Sequence, residues 1–137
     1  MKEKILVSSC LIGLITRYDG RLQKDNRFEE LAEEYDIIPF CPEQAGGLPT
    51  PRKPCEIYKN RVLNVDGDDK TENFIRGAKE ALKLCKLFNI KKAILKSKSP
   101  SCGKGKIYDG TFSGNLISGD GFTTRLLEDN GIEVTSM

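Results

Sequence analysis

The sequence predicts an α/β fold: a mostly parallel, Rossmann-like sheet of about four strands, with helices on both faces and a small β-hairpin insertion. Three observations carry that expectation. Short apolar runs bounded by turn residues recur at Ile5-Leu6-Val7, Ile37-Ile38, Ala93-Ile94-Leu95 and Ile132-Glu133-Val134, the pattern of buried strands. Stretches of helical periodicity separate them, so strand and helix alternate, as parallel sheets covered on both faces require. Finally, the first three runs each lead into a cysteine, at Cys10, Cys41 and Cys102. In open α/β sheets ligands gather at the carboxyl ends of strands. If these three strands are parallel neighbours, three thiols from distant parts of the chain meet at one end of the sheet.

The elements follow in order. The first strand covers about Lys4 to Ser8, followed by a loop with Gly13 and the turn Tyr18-Asp19-Gly20. A helix is expected from about Arg27 to Tyr35, with Asn26 as N-cap, Glu29 at the capping-box position and Phe28, Leu31 and Ala32 facing the core. The second strand, Ile37 to Phe40, contains Pro39, which lacks a ladder donor and places it at a sheet edge or ends it early. Residues 41–54 are too rich in Gly and Pro for a helix or central strand, and loops of this length inside a domain are usually functional. Glu56 to Val65 reads as a hairpin turning at Lys59-Asn60. Thr71 is the expected cap of the main helix, Glu72 to Phe88, whose apolar face is Phe74, Ala78, Ala81, Cys85 and Phe88. The third strand is Lys91 to Lys96, a Gly-rich excursion covers 108–114, and a last helix from Gly121 to Asn130 stops at Gly131 before the fourth strand.

A chain of 137 residues suits one domain, 1–137, with a core large enough to need no staples. A formal charge of +2 implies neither nucleic acid nor an anionic membrane, and no basic stripe with interleaved aromatics argues for RNA. No apolar run reaches the length of a membrane span. The N-terminal Met1-Lys2-Glu3-Lys4 leads into a strand with no signal-peptide core, so a cytoplasmic protein is expected. Five cysteines in such a protein argue against a disulfide framework and leave metal binding, catalysis or plain burial. Histidine is absent, which removes Ser/His/Asp and Cys/His catalysis and histidine metal sites. Acid–base work falls to Asp, Glu, Lys, Tyr or Cys.

The residues alone leave several readings of the candidate site open. Three thiolates suit a zinc ion with an open position or an iron–sulfur cluster with one iron free, and small thiols also fill sheet–loop junctions. Cys85, mid-helix on the core face, reads as buried filler, and Cys55, at the start of the hairpin, as a bystander or a fourth ligand. Glu43, two residues past Cys41, is either a general acid/base or a solvated loop carboxylate. Ser101 could donate a hydrogen bond to substrate or serve as a turn or cap residue. Arg52, Lys96 and Lys98 are either an anion-binding rim or solvated surface charge, and Asp19 and Asp109 read as turn formers.

Several blocks taken together go further. Ser9-Cys10-Leu11-Ile12-Gly13, Arg17-Tyr18-Asp19-Gly20, Cys41-Pro42-Glu43 and Gly46-Gly47-Leu48-Pro49-Thr50-Pro51-Arg52 stand in this order along the chain. Leu95-Lys96, Ser99-Pro100-Ser101-Cys102-Gly103 and Tyr108-Asp109-Gly110-Thr111-Phe112 follow them. This pattern, which covers nearly the whole chain, resembles the thiouracil desulfidase family of short bacterial proteins. The resemblance implies a [4Fe-4S] cluster with three protein ligands, which fall on Cys10, Cys41 and Cys102, and a catalytic glutamate and serine, which fall on Glu43 and Ser101. It gives Cys55 no role. The implied reaction is non-redox desulfuration of a thiolated nucleobase such as 2-thiouracil: Glu43 activates water, Ser101 orients substrate, C=O replaces C=S and sulfide leaves. The implied partner is thus a small thiocarbonyl compound. Two competing readings are a cluster- or cysteine-based sulfur carrier and a non-catalytic zinc- or anion-binding domain.

Overall fold

The computed structural model describes residues 2–23 and 25–137. Met1, where the N-terminal segment read above begins, lies outside them. The chain runs β1 (Glu3–Ser8), a 3-10 turn (Ser9–Leu11), α1 (Phe28–Glu34), β2 (Tyr35–Phe40), α2 (Pro42–Ala45), β3 (Cys55–Tyr58), β4 (Arg61–Asn64) and α3 (Thr71–Leu87). It continues through β5 (Lys92–Leu95), β6 (Lys106–Tyr108), β7 (Leu116–Ser118), α4 (Phe122–Asp129) and β8 (Glu133–Ser136).

The main sheet has the order β2-β1-β5-β8, and every pairing in it is parallel. Its register sets Leu6 opposite Ile38 and Ala93, and Ala93 opposite Val134. Because side chains alternate across a strand, Leu6, Ala93, Leu95 and Val134 point to one face. There they pack with Ala81 and Cys85 of α3, Leu127 of α4, and Ile90 and Ile132. Ile5 and Val7 point the other way, where Phe28 and Leu31 of α1, Leu11 and Ile37 cover them. Helices on both faces are therefore what the alternation of apolar runs dictated. Pro39 sits on edge strand β2, opposite Val7, where its missing N–H disrupts no inner ladder.

The order of strands has one consequence for function. From β1 the chain moves outward to β2, then returns across β1 to build β5 and β8. The connections after β1 and β5 therefore leave in opposite directions at their carboxyl ends, which is the switch-point crevice of open α/β sheets.

Local corrections have physical causes. Asn26 does not cap α1: the cap position is Arg27, with no side-chain cap bond. Asp25 takes that part instead, its carboxylate accepting the Arg27 N–H at 2.9 Å. Thr71 lies inside α3, and its hydroxyl accepts the Val62 N–H of the hairpin at 2.9 Å. Asp69 receives the Thr71 N–H at 2.8 Å. Phe88 is 43% exposed, because α3 ends at Leu87, Asn89 turns the chain at φ 55°, and Ile90 occupies the core place instead. The Gly- and Pro-rich stretch 41–54 does contain a helical turn, α2, in which Pro42 stands at the first position; its absent N–H is one that no helix would have used there. The 108–114 excursion is the connection of a second hairpin, β6–β7. The first hairpin turns at Lys59-Asn60 as expected, both residues having positive φ as a two-residue primed turn requires.

Candidate active site at the carboxyl end of the sheet

The three strands that end in cysteines are adjacent: β2, β1 and β5. Cys10 stands in the 3-10 turn after β1, Cys41 directly follows β2, and Cys102 lies in the loop after β5. All three line one cavity of about 540 Å³, together with Glu43, Arg52, Cys55, Glu56 and Ser101. Cys85 is 1% exposed in the sheet–helix core, away from the cavity lining. Cys55, read as a bystander, shares the cavity.

Each side chain is fixed by its element. Backbone meets backbone where α2 crosses α3: a Cβ at Gly77 would lie 2.0 Å from the Pro42 carbonyl oxygen. That approach seats α2, with Glu43 on it and Cys41 just before it, directly against α3. In the loop after β5, the Ser99 hydroxyl accepts the N–H groups of Ser101 at 3.1 Å and Cys102 at 2.7 Å. The first N–H groups of α4, from Phe122 and Thr123, donate to the carbonyls of Pro100 and Ser101 at 2.9 and 2.8 Å, which satisfies donors a helix end leaves free. Ser8, last residue of β1, accepts the Lys96 N–H at 2.9 Å and so staples β1 to the start of that loop.

The polar centre is a short relay. The Ser101 hydroxyl donates to Glu43 Oε2 at 3.1 Å, and Ser99 Oγ lies 3.1 Å from Ser101 Oγ. Arg52 Nε donates to the other oxygen, Glu43 Oε1, at 3.0 Å. The same guanidinium donates to the carbonyls of Thr16 at 2.9 Å and Pro49 at 3.2 Å, and to the Thr50 hydroxyl at 2.9 Å. Its side chain is 6% exposed. Arg52 is therefore neither a free anion-binding rim nor solvated surface charge; it is an internal clamp between the loop after β1 and the loop after β2. Lys96 and Lys98 line the cavity. Asp19 and Asp109 are turn formers as expected, accepting the N–H groups of Arg21 and Thr111.

The thiols sit in surroundings that disfavour negative charge. Burial pushes Cys102 up to about 12, although hydrogen bonds from Ser101 and Ser8 favour its thiolate. Burial likewise raises Cys10, with the neighbouring Cys41 adding to the effect, and Cys41. Three thiolates can coexist here only around a cationic group that reverses this balance. Three soft sulfur donors lining one cavity fit an iron–sulfur group.

The structure brings Cys10, Cys41, Cys102, Glu43 and Ser101, each singled out in the sequence, to one cavity. The clamp by Arg52, the supporting hydroxyls of Ser8 and Ser99 and the Thr16 carbonyl were not legible in the sequence. The one available signal was the position of Arg52 at the end of the long Pro-rich loop.

Sheet and site together define a small switch-point α/β protein whose thiol-lined cavity holds a carboxylate–hydroxyl pair. The model of the 2-thiouracil desulfurase family matches residues 5–137, and the chain belongs to that family. It is 41% identical to the uncharacterized protein YbbK of Bacillus subtilis (strain 168), over 96% of this chain and 94% of YbbK. Among solved structures it is similar to the [4Fe-4S]-dependent thiouracil desulfidase TudS, with a TM-score of 0.92 and 49% identity, covering 98% of this chain and 91% of TudS. No helix among the described residues is long and apolar enough to cross a membrane.

Proposed function

We propose that residues 1–137 act as one desulfidase domain that removes sulfur from a thiolated nucleobase of the 2-thiouracil kind in a [4Fe-4S]-dependent, non-redox reaction. The observation that carries this reading is the convergence of Cys10, Cys41 and Cys102 on the cavity that also holds the Glu43–Ser101 pair. Membership of the desulfurase family and the likeness to TudS support it.

Cys10, Cys41 and Cys102 would hold the cluster. Once bound, a cluster with only three protein ligands supplies a Lewis-acidic iron toward which a thiocarbonyl sulfur can be directed. Glu43 is the general base: its carboxylate, oriented by Arg52, takes a proton from the water that adds to the thiocarbonyl carbon. Ser101 donates to Glu43 in the absence of substrate, and its hydroxyl can turn to substrate when the base binds. The proton taken by Glu43 is returned to the departing sulfur, and the second proton of the water follows through Glu43 as the carbonyl forms. One water enters, one carbonyl replaces one thiocarbonyl and one hydrogen sulfide leaves, so no electrons need be supplied.

Turnover of 2-thiouracil by the reconstituted protein in heavy-oxygen water, with no sulfur acceptor added, tests this. The expected products are uracil carrying the heavy isotope and free sulfide. A strict requirement for a thiol or other sulfur acceptor would instead favour a sulfur-transfer protein.

A further inference from the structure

Glu56 is a buried carboxylate, 9% exposed, that lines the cavity and that the reaction above leaves unused. Its Oε1 accepts two backbone N–H groups, from Gly110 at 3.0 Å and Phe112 at 3.1 Å. Both donors belong to the segment joining β6 to β7, 54 and 56 residues further along the chain.

The segment is closed by bonds of its own, Asp109 accepting the Thr111 N–H at 2.9 Å and donating its N–H to the Asn115 carbonyl at 3.0 Å, yet its tip is strained. Phe112 has φ 56°, a left-handed conformation that a bulky residue adopts only at a cost. Gly110 rests against the first hairpin so closely that a Cβ would stand 2.7 Å from the Ile57 carbonyl oxygen and from Tyr58 Cβ. Strained backbone of this kind persists where its surroundings over-determine it, and such places cluster at ligand clamps. Here the constraint is the double hydrogen bond to a carboxylate anchored in β3. Its effect is to fix a half-buried Phe112, with Tyr108, in the wall of the thiol-lined cavity.

We propose that Phe112 is a specificity-determining residue that receives the planar face of the thiolated base, and that Glu56 is its positioning residue, latching the 109–114 turn. The inference rests on the desulfidase reading and deepens it. The thiols, Glu43 and Ser101 address the reacting C–S group, which any thiocarbonyl compound carries. A flat aromatic base differs from other thiocarbonyls chiefly in its π-face, and an aromatic wall recognises that face.

The test is steady-state kinetics with 2-thiouracil, normalised to bound iron, on reconstituted variants. Phe112→Ala is expected to raise KM roughly tenfold, the usual loss for a stacked base, while Phe112→Tyr stays near wild type. Glu56→Ala should raise KM similarly with kcat held within about threefold, the signature of lost ground-state binding. Glu56→Gln should restore KM, because its amide oxygen can accept the same two N–H groups. Glu56→Asp, one methylene short, provides a milder break, and the Phe112 pair reads the wall whether or not Glu56→Ala folds. Unmoved KM in Phe112→Ala overturns the inference. A Glu56→Ala variant whose kcat falls with its cluster content while KM stands still also overturns it, since that is a merely structural role. Failure of the wild-type protein to turn over any thiouracil overturns the desulfidase reading itself.

Discussion

Arg52 Nε donates to Glu43 Oε1 at 3.0 Å, with the two side chains 6% and 13% exposed. The pair is the hinge of the site, because the same guanidinium also reaches the Thr16 carbonyl and lies 3.9 Å from Cys41 Sγ. It joins the loop after β1 to the loop after β2.

Removing the guanidinium should therefore damage stability and chemistry together. Breaking a buried ion pair by deleting one partner costs about 3–5 kcal/mol. Arg52→Gln is expected to fall in that range in urea denaturation of the cluster-free protein. Arg52→Lys should recover only part of the loss, since a single ammonium cannot serve Glu43 and two carbonyls at once.

Glu43→Gln separates chemistry from assembly. The amide keeps the shape of the side chain but cannot accept a proton. Rates should fall by about 10²–10⁴-fold, the usual share of a general base, at unchanged iron content. Ser101→Ala should cost about 10²–10³-fold if its hydroxyl stabilises developing charge. Single-turnover assays beside iron quantitation distinguish these losses from poor cluster loading.

Four of the five cysteines should divide cleanly. Cys10→Ser, Cys41→Ser and Cys102→Ser are each expected to lower bound iron and sulfide, because the thiolate is the ligand these sites require. Cys85→Ser should bind a full cluster and lose only stability, by about 1–3 kcal/mol for a hydroxyl placed in the apolar cluster between α3 and the sheet.

The legible part of this molecule is the part built from local pattern. Ile5-Leu6-Val7 and Ala93-Ile94-Leu95 announce the central strands, and their spacing from Cys10 and Cys102 places the thiols without any knowledge of topology. What escaped was set by distance along the chain or by composition. Arg52 meets Thr16 across 36 residues, and Glu56 meets Phe112 across 56; neither contact leaves a local trace. In β7 all three residues are exposed, so no apolar alternation marks the strand. Helix α2 hides between proline and glycine because only its first position tolerates the proline. Asn26 stands one residue before the cap position, and the Arg27 N–H is taken by Asp25.

Acid stability offers a check on the junction between the first hairpin and α3. Asp69 receives hydrogen bonds from Arg61 at 2.8 Å and from the Thr71 N–H at 2.8 Å. The Arg61 guanidinium, then Thr71, hold its carboxyl at about 2 against an ordinary value of 3.8. Because the folded value is the lower one, this contribution is present above pH 4 and is lost as pH falls through about 2. Asp69→Asn should be less stable than wild type at neutral pH, with the difference shrinking between pH 4 and 2; denaturation midpoints across that range measure it.

The central claim is that the three strand-end thiols hold a cluster that turns over a thiocarbonyl base. Anaerobic iron–sulfide reconstitution, with iron and sulfide counted and 2-thiouracil turnover assayed on the same sample, tests it most directly. About four irons per chain are expected, with uracil and sulfide formed together. A protein that takes up no iron under those conditions, or holds zinc in its place, would contradict it.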